Sequence, residues 1–447
     1  MKRLIILFAS LLAPLAALAQ EHTGEILVKY KPGREPLARV RAVEQTRFGI
    51  HVIKPRLTRG ASYDVYAVLD SLRRDTTNVE YAELNYIVHI KEAPNDPQYS
   101  SQYAHERISS EAAWTTTTGN DSVLVAVIDT GVNWSHEDLA ANIFSNTKET
   151  IDGDDNDDNG YVDDVRGWDF VNSDNNPNDD NAHGTHCAGI IGAAGNNGKG
   201  IVGVNWKIKI LPCKFLDADG SGSTLDAAKA IYYAADLGVE VMSNSWGGGP
   251  ATRTLQDAIV YAKNKGILFV AAAGNESNDN DESPSYPANY TIENVISVAA
   301  SDQNDALASF SNYGLTVHLA APGVSILSTT PNNTYQRFSG TSMATPYVAG
   351  AAALVKAQGS ISLVELKQRI LGGVDRVSSL TGKVATGRLN LEKCLNPSST
   401  EPPPDTPPSN PPAGKCGGQS SSWIGYTVFA LIASRRFFQA RSGRRKE

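Results

Sequence analysis

The chain has 447 residues, of which 41% are hydrophobic and 20% are charged, a composition that is ordinary for a soluble globular protein. This length is too great for one small domain and is sufficient for a large hydrophobic core. The net charge of −8 argues against nucleic acid as a partner, because binding to phosphate backbones requires an excess of basic residues.

Residues 1–19 have the pattern of a secretory signal peptide. Two basic residues precede an apolar run, and Ala17-Leu18-Ala19 forms a small-residue cleavage site. A membrane-spanning segment is the alternative, and Pro14 with the small residues before Gln20 makes it the weaker one. We therefore predict cleavage after Ala19 and a secreted, extracellular protein.

Residues 20–94 are predicted to form a small α+β unit with a ferredoxin-like order of elements. GEILVKYK alternates as a strand does, 36–47 has helical spacing, and SYDVYAVL is strand-like. SLRRD then predicts a short helix and AELNYIVHI a final strand, which gives an order close to β-α-β-β-α-β. Two prolines in 92–98 predict a linker.

In residues 95–396 short apolar runs alternate with helical stretches. Strands are predicted at 122–129, 207–216, 238–245, 266–275 and 295–301, and helices at 223–238 and 253–266. Near-continuous apolar strands between helices are typical of an α/β fold whose mostly parallel sheet is covered on both faces. In such a sheet the ligand crevice lies at the carboxyl ends of the strands.

The C-terminal part has two different compositions. Residues 397–415 are rich in proline and lack apolar anchors, which predicts an extended linker. In 416–447 a cysteine, a short apolar run and an arginine cluster follow one another. The run is shorter than the ~20 residues of a membrane helix. We favour a sorting tail, which implies transient association with the cell surface and with envelope sorting machinery, over a disordered basic tail.

The four cysteines are too few for a disulfide scaffold in a secreted chain of this length. A bridge between Cys187 and Cys213 and a pair of buried free thiols are both compatible with the sequence.

Three short segments carry the residue types of a serine hydrolase. Asp129 ends an apolar strand in VIDTGV, His183 opens an apolar helix in HGTHCAG, and Ser342 stands at a helix start in GTSMATPYVAG. Each alone is commonly structural, as a cap or a turn residue. Together they supply a nucleophile, a base and a carboxylate that orients the base.

These blocks, in this order, resemble the signatures of the subtilisin-like serine proteases. AAAGN at 271–275 resembles a fourth block of that family, and the similarity extends over about residues 94–395, with the thermitase-like branch nearest. The resemblance implies a subtilisin-like three-layer fold and a serine endopeptidase that acts on polypeptides as a monomer. It assigns the nucleophile to Ser342, the base to His183, the orienting carboxylate to Asp129, and the oxyanion hole to Asn275 and the Ser342 N–H.

The resemblance also implies a cleft in which the substrate binds as an extended strand between two walls. The residues expected to line it are Ser245, Trp246 and Gly247 on one side and Gly220, Ser221 and Gly222 on the other. Main-chain pairing makes little demand on sequence, which predicts broad specificity, and small residues at 271–274 predict room for a large P1 side chain. Trp246 replaces a leucine often found there, which leaves the size of the neighbouring subsites open.

The acidic segment 152–164 predicts a calcium site. Asp155, Asp157 and Asn159, followed by glycine, match the D-x-D-x-N-G start of a calcium loop. Arg166 stands where an EF-hand would end in glutamate, so Asp163 or Asp164 would have to complete the shell. A solvated acidic loop is the alternative, disfavoured because so many carboxylates repel one another without a counter-ion.

The resemblance implies two further structural calcium sites, so that one to three Ca²⁺ ions are expected. The tight site would use Asp138, Asn197 and the backbone of 195–201, with Asp96 as a further ligand. The second would use Asp169, Asp174 and Asn176, of which Asn176 departs from the usual threonine. Loops clamped by calcium resist local opening and hence self-digestion.

By the same resemblance, residues 20–94 are a propeptide that templates folding, blocks the cleft and is removed by autoproteolysis near residues 90–97. A permanently attached accessory domain is the alternative. Two other functions stay open. One is a catalytically silent, calcium-dependent surface binder, although such a protein would not need all four catalytic residues. The other is a peptide ligase or cyclase, in which an amine captures the acyl-enzyme.

Overall fold

The computed structural model of the protein describes residues 22–34, 42–54, 64–86 and 93–397. The predicted signal peptide, the linker beyond residue 397 and the 416–447 tail lie outside the described residues, as do residues 90–92 of the predicted processing region. In the described ranges, no helix is long and apolar enough to cross a membrane.

The N-terminal unit is a sheet packed against one helix. Its elements are β1 (His22–Tyr30), β2 (Ala42–Gln45), β3 (Ile50–Ile53), α1 (Val65–Arg74) and β4 (Val79–Tyr86). The described strands lie in the order β2-β3-β1-β4 with every pair antiparallel. Since β3 lies between β1 and β2, and β1 between β3 and β4, the order is that of the split units of a ferredoxin-like sheet.

Two of the predicted N-terminal elements are wrong. The stretch 62–69, predicted as a strand, is helical from Val65, because Asp64 caps the first turn by accepting the Tyr66 N–H at 2.9 Å and Leu69 is buried on the inner face. The helix predicted over 36–47 is not formed at Ala42–Gln45, which is strand β2 and is held by backbone hydrogen bonds to β3. Residues 36–41 lie outside the described residues.

The remaining elements build a large α/β unit. Its strands are β5 (Gly119–Asp129), β6 (Trp168–Asp169), β7 (Lys207–Lys214), β8 (Val241–Asn244), β9 (Leu268–Ala272), β10 (Val295–Ser301), β11 (Leu319–Pro322), β12 (Ile326–Thr330), β13 (Thr334–Phe338), β14 (Val374–Asp375) and β15 (Arg388–Leu389). Its helices are α2 (Tyr103–Arg107), α3 (Ser110–Trp114), α4 (His183–Gly192), α5 (Thr224–Asp236), α6 (Arg253–Asn264), α7 (Thr341–Lys356), α8 (Leu363–Gly372) and α9 (Leu391–Leu395). The strands and helices predicted here are confirmed, with ends that differ by a few residues.

One mostly parallel sheet organises this unit. Within the described residues its order is β14-β15-β11-β10-β9-β8-β5-β7-β6, and only the edge pair β14–β15 is antiparallel. The hairpin of β12 and β13 forms a separate antiparallel pair. The chain adds β6 and β7 on one side of β5 and β8 to β11 on the other, so the order of strands changes direction at β5.

Helices cover both faces of the sheet and make three layers. On β5, Val125 and Val127 face a core shared with α4 and α7, whereas Ala126 and Ile128 face a core shared with α5 and α6. Alternate residues of a strand point to opposite faces, so a strand buried on both faces has a continuous apolar sequence. The predicted three-layer α/β fold is confirmed.

Candidate active site

Polar residues stand at the carboxyl ends of neighbouring strands. Asp129 ends β5, Lys214 ends β7, Ser245 follows β8, and Asn275 comes shortly after β9. These strands are parallel and adjacent, so their carboxyl ends lie along one edge of the sheet. That edge, next to the change in strand order at β5, is where an α/β sheet is expected to bind its ligand.

His183 is the first residue of α4, and its ring contacts Asp129. Nδ1 lies 2.7 Å from Oδ1 of the carboxylate, which is buried and also accepts the Thr130 N–H at 2.8 Å. Gly184 permits this approach, because a Cβ at that position would overlap the Gly131 carbonyl oxygen and lie 3.1 Å from the Asp129 Cβ. The glycine after His183 therefore brings the helix start against the strand end.

A second buried carboxylate, Asp179, supports this pair. It accepts hydrogen bonds from the Thr130 hydroxyl at 2.9 Å and from the Thr185 N–H at 2.9 Å, so it links the turn after β5 with the first turn of α4. Burial lowers the pKa of His183, but the charge and hydrogen bond of Asp129 and the charge of Asp179 outweigh burial, and the pKa lies above its ordinary value.

Ser342 lies in the first turn of α7 and is tied to the end of β8. Its hydroxyl donates to the Ser245 carbonyl at 2.9 Å, and the Ser245 hydroxyl donates to the Ser342 carbonyl at 2.9 Å. The Ser342 carbonyl is available because Pro346, four residues along the helix, has no N–H to offer it. The Cys187 thiol of α4 also contacts this oxygen, at 3.5 Å, so the two helix starts meet beside the sheet edge.

A hydrogen bond between Ser342 and His183 requires the serine hydroxyl to turn away from the Ser245 carbonyl. Nδ1 of His183 is engaged by Asp129, which leaves Nε2 as the nitrogen that can accept the proton. Catalytic hydrogen bonds are often long in ligand-free enzymes and tighten when the substrate is bound.

Asn275 and the start of α7 bring two N–H donors, Asn275 Nδ2 and the Ser342 N–H, next to one space. The Asn275 Oδ1 accepts the Thr341 N–H at 2.9 Å and the Thr341 hydroxyl at 3.0 Å, which turns Nδ2 outward. A Cβ on Gly340 would lie 3.6 Å from the Ser342 backbone nitrogen and 3.8 Å from Asn275 Nδ2. The missing side chain of Gly340 therefore leaves room for a small anionic group at a helix N-terminus.

The predicted substrate walls are built differently. Gly220, Ser221 and Gly222 form an exposed loop, shaped by the Asp217 carboxylate, which accepts the Ser221 N–H at 2.9 Å. Asn181, two residues before His183, donates to the Ala218 carbonyl at 2.8 Å and ties this loop to α4.

On the opposite wall Ser245 is buried and Gly247 is exposed. Between them, Trp246 packs on Phe215 with ring centroids 4.8 Å apart, and its indole N–H is buried without a partner among the described residues. The tryptophan is thus part of the wall and anchored to the core behind it.

The acidic loop brings some of its predicted ligands together. Asp155 and Asp157 meet Glu149, and one oxygen from each lies within 4.8 Å of the others. Oδ1 of Asp157 is buried without a hydrogen-bond partner among the described residues. Glu149 precedes the acidic segment and is missed when that segment is considered alone.

The other predicted ligands of this loop make hydrogen bonds that shape it. Asp163 accepts the Asp152 N–H at 2.9 Å, and Asp164 accepts the Asn159 side-chain amide at 3.0 Å and the Tyr233 hydroxyl at 2.7 Å. The structure therefore places Asn159, Asp163 and Asp164 in the framework around the Glu149–Asp155–Asp157 cluster.

The residues of the tight site also lie together. Asp96 accepts the Asn196 N–H at 2.8 Å, and Asp138 accepts the Asn197 side-chain amide at 2.9 Å and the Ile201 N–H at 3.0 Å. Both carboxylates are buried; burial and the charge of Asp138 raise the pKa of Asp96. Two buried carboxylates that both accept hydrogen bonds from the loop 195–201 suit a hard cation.

Within the described residues, the carboxylates of the third predicted site accept hydrogen bonds from nearby residues of the same turn. Asp169 accepts the N–H groups of Val171 and Asn172, and Asp174 accepts the Asn176 N–H at 3.0 Å. A backbone bridge joins Asp169 to Asp174, so the turn is closed by its own hydrogen bonds.

Residues 120–381 match the Subtilase family. The chain is a subtilase. It is 44% identical over 303 residues to thermitase from Thermoactinomyces vulgaris, covering 68% of this chain and 99% of thermitase. It is 43% identical over 329 residues to a thermophilic serine proteinase from Bacillus sp. (strain AK1), covering 73% and 75% of the two chains. A protease structure from Pseudoalteromonas arctica aligns with a TM-score of 0.58 at 28% identity, covering 68% of this chain and 99% of the other.

Family membership makes this protein a serine endopeptidase of the subtilisin-like type. The resemblance drawn from its four sequence blocks is thereby confirmed, as is its nearness to thermitase.

The cysteines of the described part of this subtilase are free. Cys187, Cys213 and Cys394 are buried thiols, so the Cys187–Cys213 bridge left open by the sequence is not formed. Burial raises the pKa of each thiol, and the nearby Asp129 carboxylate raises that of Cys187 further. A thiol that stays protonated is a poor nucleophile, so none of these three cysteines is a candidate nucleophile.

Proposed function

We propose that this subtilase is a secreted endopeptidase in which Ser342, His183 and Asp129 form the catalytic triad and Asn275 serves the oxyanion hole. The observation that carries the proposal is the 2.7 Å contact between His183 and Asp129 at the sheet edge where α7 presents Ser342. Export is supported by the signal-peptide pattern of residues 1–19.

In the acylation step the Ser342 oxygen bonds to the scissile carbonyl carbon while His183 Nε2 takes the hydroxyl proton. Asp129 holds the tautomer whose basic nitrogen is Nε2 and stabilises the imidazolium that forms. The raised pKa of His183 makes it a stronger base for this transfer. The imidazolium then protonates the leaving amine, and the C–N bond breaks to leave an acyl-enzyme.

Asn275 Nδ2 and the Ser342 N–H donate to the carbonyl oxygen as it becomes an oxyanion. The space beside Gly340, bounded by both donors, is where that oxygen would lie. Water, deprotonated by His183, then attacks the acyl carbon and releases the second product. A ligase or cyclase would use the same acyl-enzyme with an amine in place of water, and peptide products formed with an added amine distinguish that case.

Substrate selection follows from the two walls. We infer that an extended polypeptide pairs with the backbone at Ser245, Trp246 and Gly247 on one side and at Gly220–Gly222 on the other. Backbone pairing supports broad sequence specificity.

We propose calcium as a structural ion. The buried and unpartnered Asp157 oxygen beside Asp155 and Glu149 supports one site, and the buried pair Asp96 and Asp138 with Asn197 supports a second. Asn159, Asp163 and Asp164 stay predicted ligands of the first site, and Asp169, Asp174 and Asn176 those of a third. When bound, calcium would cross-link these loops; it takes no part in the proton transfers.

We infer that residues 20–94 are a propeptide that inhibits the protease until it is cleaved. Their own hydrophobic core, which includes Ile26, Val28, Leu69 and Leu84, supports an independently folding unit. The sorting role of the 416–447 tail, with its transient attachment to the cell surface, stays a prediction from the sequence.

The test is covalent labelling with an alkyl fluorophosphonate, a serine-reactive probe. The Ser342 oxygen would bond to phosphorus, fluoride would leave, and His183 would take the proton. We expect one label per chain, on the peptide that contains Ser342, and we expect no label on Ser342→Ala and little on His183→Ala. Stoichiometric labelling at another residue, or undiminished labelling of either variant, would contradict the proposal.

A further inference from the structure

Lys214 is a buried lysine at the active-site edge that none of the proposed chemical steps uses. It is the last residue of β7, it is 1% exposed, and the parallel register places it opposite Asp129 on β5. A buried ammonium group is unfavourable unless all three of its protons are donated to acceptors.

Three acceptors meet that requirement. The Lys214 Nζ donates to the Thr130 carbonyl at 2.9 Å, to the Leu216 carbonyl at 2.8 Å and to the Asp180 carboxylate at 2.6 Å. Thr130 directly follows Asp129, and Asp180 lies in the segment that leads into His183. Leu216 begins the segment that continues into the substrate wall at 217–222.

Other hydrogen bonds close the same three segments around the ammonium. The Leu216 N–H donates to the Asp129 carbonyl at 3.2 Å, and the Gly184 N–H donates to the Thr130 hydroxyl at 2.9 Å. Asn181 next to Asp180 donates to the Ala218 carbonyl at 2.8 Å. Lys214 contacts all three segments at once.

Stability does not explain a charge at this position. Replacing a buried ion pair by apolar residues of similar size is often neutral or stabilising, and the rest of β7 from Ile210 to Cys213 is already buried and uncharged. The Asp180 side chain is 49% exposed, so solvent weakens the ion pair further. What the ammonium provides is three directed hydrogen bonds to separate segments.

We propose that Lys214 is a positioning residue. Its ammonium fixes the Asp129 turn, the segment before His183 and the start of the substrate wall at set distances from one another, so that the carboxylate–imidazole pair and the wall stay aligned. The inference rests on the proposed function, in which Asp129 and His183 act as a pair.

Three variants and one matched control test this role. Lys214→Met keeps the aliphatic stem and removes the charge and the donors, Lys214→Arg restores both, and Asp180→Ala removes the half-exposed acceptor. The control is Lys367→Met, because Lys367 is a partly buried lysine that likewise donates to two backbone carbonyls, those of Glu293 just before β10 and of Val295 at its start. Those strand starts lie at the opposite edge of the sheet from Asp129.

The readouts are kcat and KM on matured enzyme, with active sites counted by fluorophosphonate titration, and the melting temperature. We expect Lys214→Met to lower kcat at least 10-fold for a short chromogenic peptide and to raise KM as well for a longer peptide that reaches the wall. Lys214→Arg should recover most of the kcat. Lys367→Met should lower the melting temperature and leave kcat within twofold of the parent.

A folded Lys214→Met enzyme whose kcat and KM stay within twofold of the parent overturns the proposal, whatever its melting temperature. If that variant does not fold, Asp180→Ala decides, because it removes one of the three acceptors. A fall in kcat of threefold or more is expected, and an unchanged kcat overturns the proposal. Ser342→Ala is assayed in parallel. Full activity in Ser342→Ala would refute the proposed triad. An inactive Ser342→Ala together with an unaffected Lys214→Met would refute only the positioning role of Lys214.

Discussion

Replacing Asn275 by leucine tests the proposed oxyanion donor. The side chain is exposed and leucine has nearly the same shape, so the change removes Nδ2 without opening a core cavity. It also removes Oδ1, which accepts two hydrogen bonds from the buried Thr341, so the melting temperature should fall as well. Comparing kcat at equal numbers of titrated active sites separates the effect on the reaction from this loss of stability.

The size of the effect follows from the bond that is lost. A hydrogen bond to a charged group contributes about 1.5–3 kcal/mol. Each 1.36 kcal/mol corresponds to a factor of ten in rate, so kcat should fall by about 10- to 150-fold. The ground-state carbonyl oxygen carries little charge, and an interaction made mainly in the transition state lowers kcat while KM stays nearly constant.

The assay is hydrolysis of a chromogenic peptide by parent and Asn275→Leu enzyme at equal concentrations of titrated active sites. Thr341→Val is the companion variant, because it removes one of the two donors that orient Asn275 and keeps the backbone donor; a loss of only about two- to tenfold is expected. An Asn275→Leu enzyme with the parent kcat, or one in which KM rises while kcat is unchanged, would refute the assignment of Nδ2 to the oxyanion.

Three further predictions concern the triad and calcium. Gly184→Ala should lower kcat at least tenfold and reduce the free energy of unfolding by about 1–3 kcal/mol, because the new Cβ pushes α4 away from Asp129. Equal kcat and melting temperature in variant and parent would contradict this prediction. His183 must be neutral to accept a proton and its pKa is raised, so kcat/KM should fall as the pH drops through a value above about 6.5. Asp129→Asn should move this acidic limb of the pH profile to lower pH and reduce kcat. An acidic limb that does not move in Asp129→Asn speaks against the ion pair. Removing calcium with a chelator should lower the melting temperature by about 5–10 °C, since an ion at a hundred times its Kd contributes about 2.7 kcal/mol to the free energy of unfolding. Glu149→Gln should reduce this difference in melting temperature between calcium and chelator. Identical melting curves with calcium and with chelator would exclude the site.

The large sheet and the candidate catalytic residues can be predicted from the sequence for a physical reason. Strands buried on both faces, such as β5 and β9, must be apolar throughout, and the polar residue that ends each one marks the edge where ligands bind. Asp129 and Asn275 are therefore visible as the first polar positions after apolar runs. His183 and Ser342 are visible because each opens a helix in a small-residue setting.

The remaining parts depend on contacts that local patterns do not encode. The stretch 62–69 is helical from Val65 because a cap at Asp64 and burial of Leu69 outweigh a strand-like sequence. Glu149 joins Asp155 and Asp157 through the fold of a loop that returns to it, although it lies outside the acidic segment. Lys214 does leave a signal, since it is a charged residue at the end of the buried run ILPCK, and a lysine in such a run needs acceptors that only the fold can supply.

The most direct test of the proposed triad is the intact mass of the full chain over time after purification, for the parent and for Ser342→Ala. If Ser342 is the nucleophile and 20–94 is a propeptide, the parent should lose about 70–80 amino-terminal residues and the alanine variant should keep them. Adding a trace of matured parent to the variant should then remove the same segment, which shows that the cleavage site is accessible. A parent that keeps its full length, or an alanine variant that is processed as fast as the parent on its own, would contradict the account.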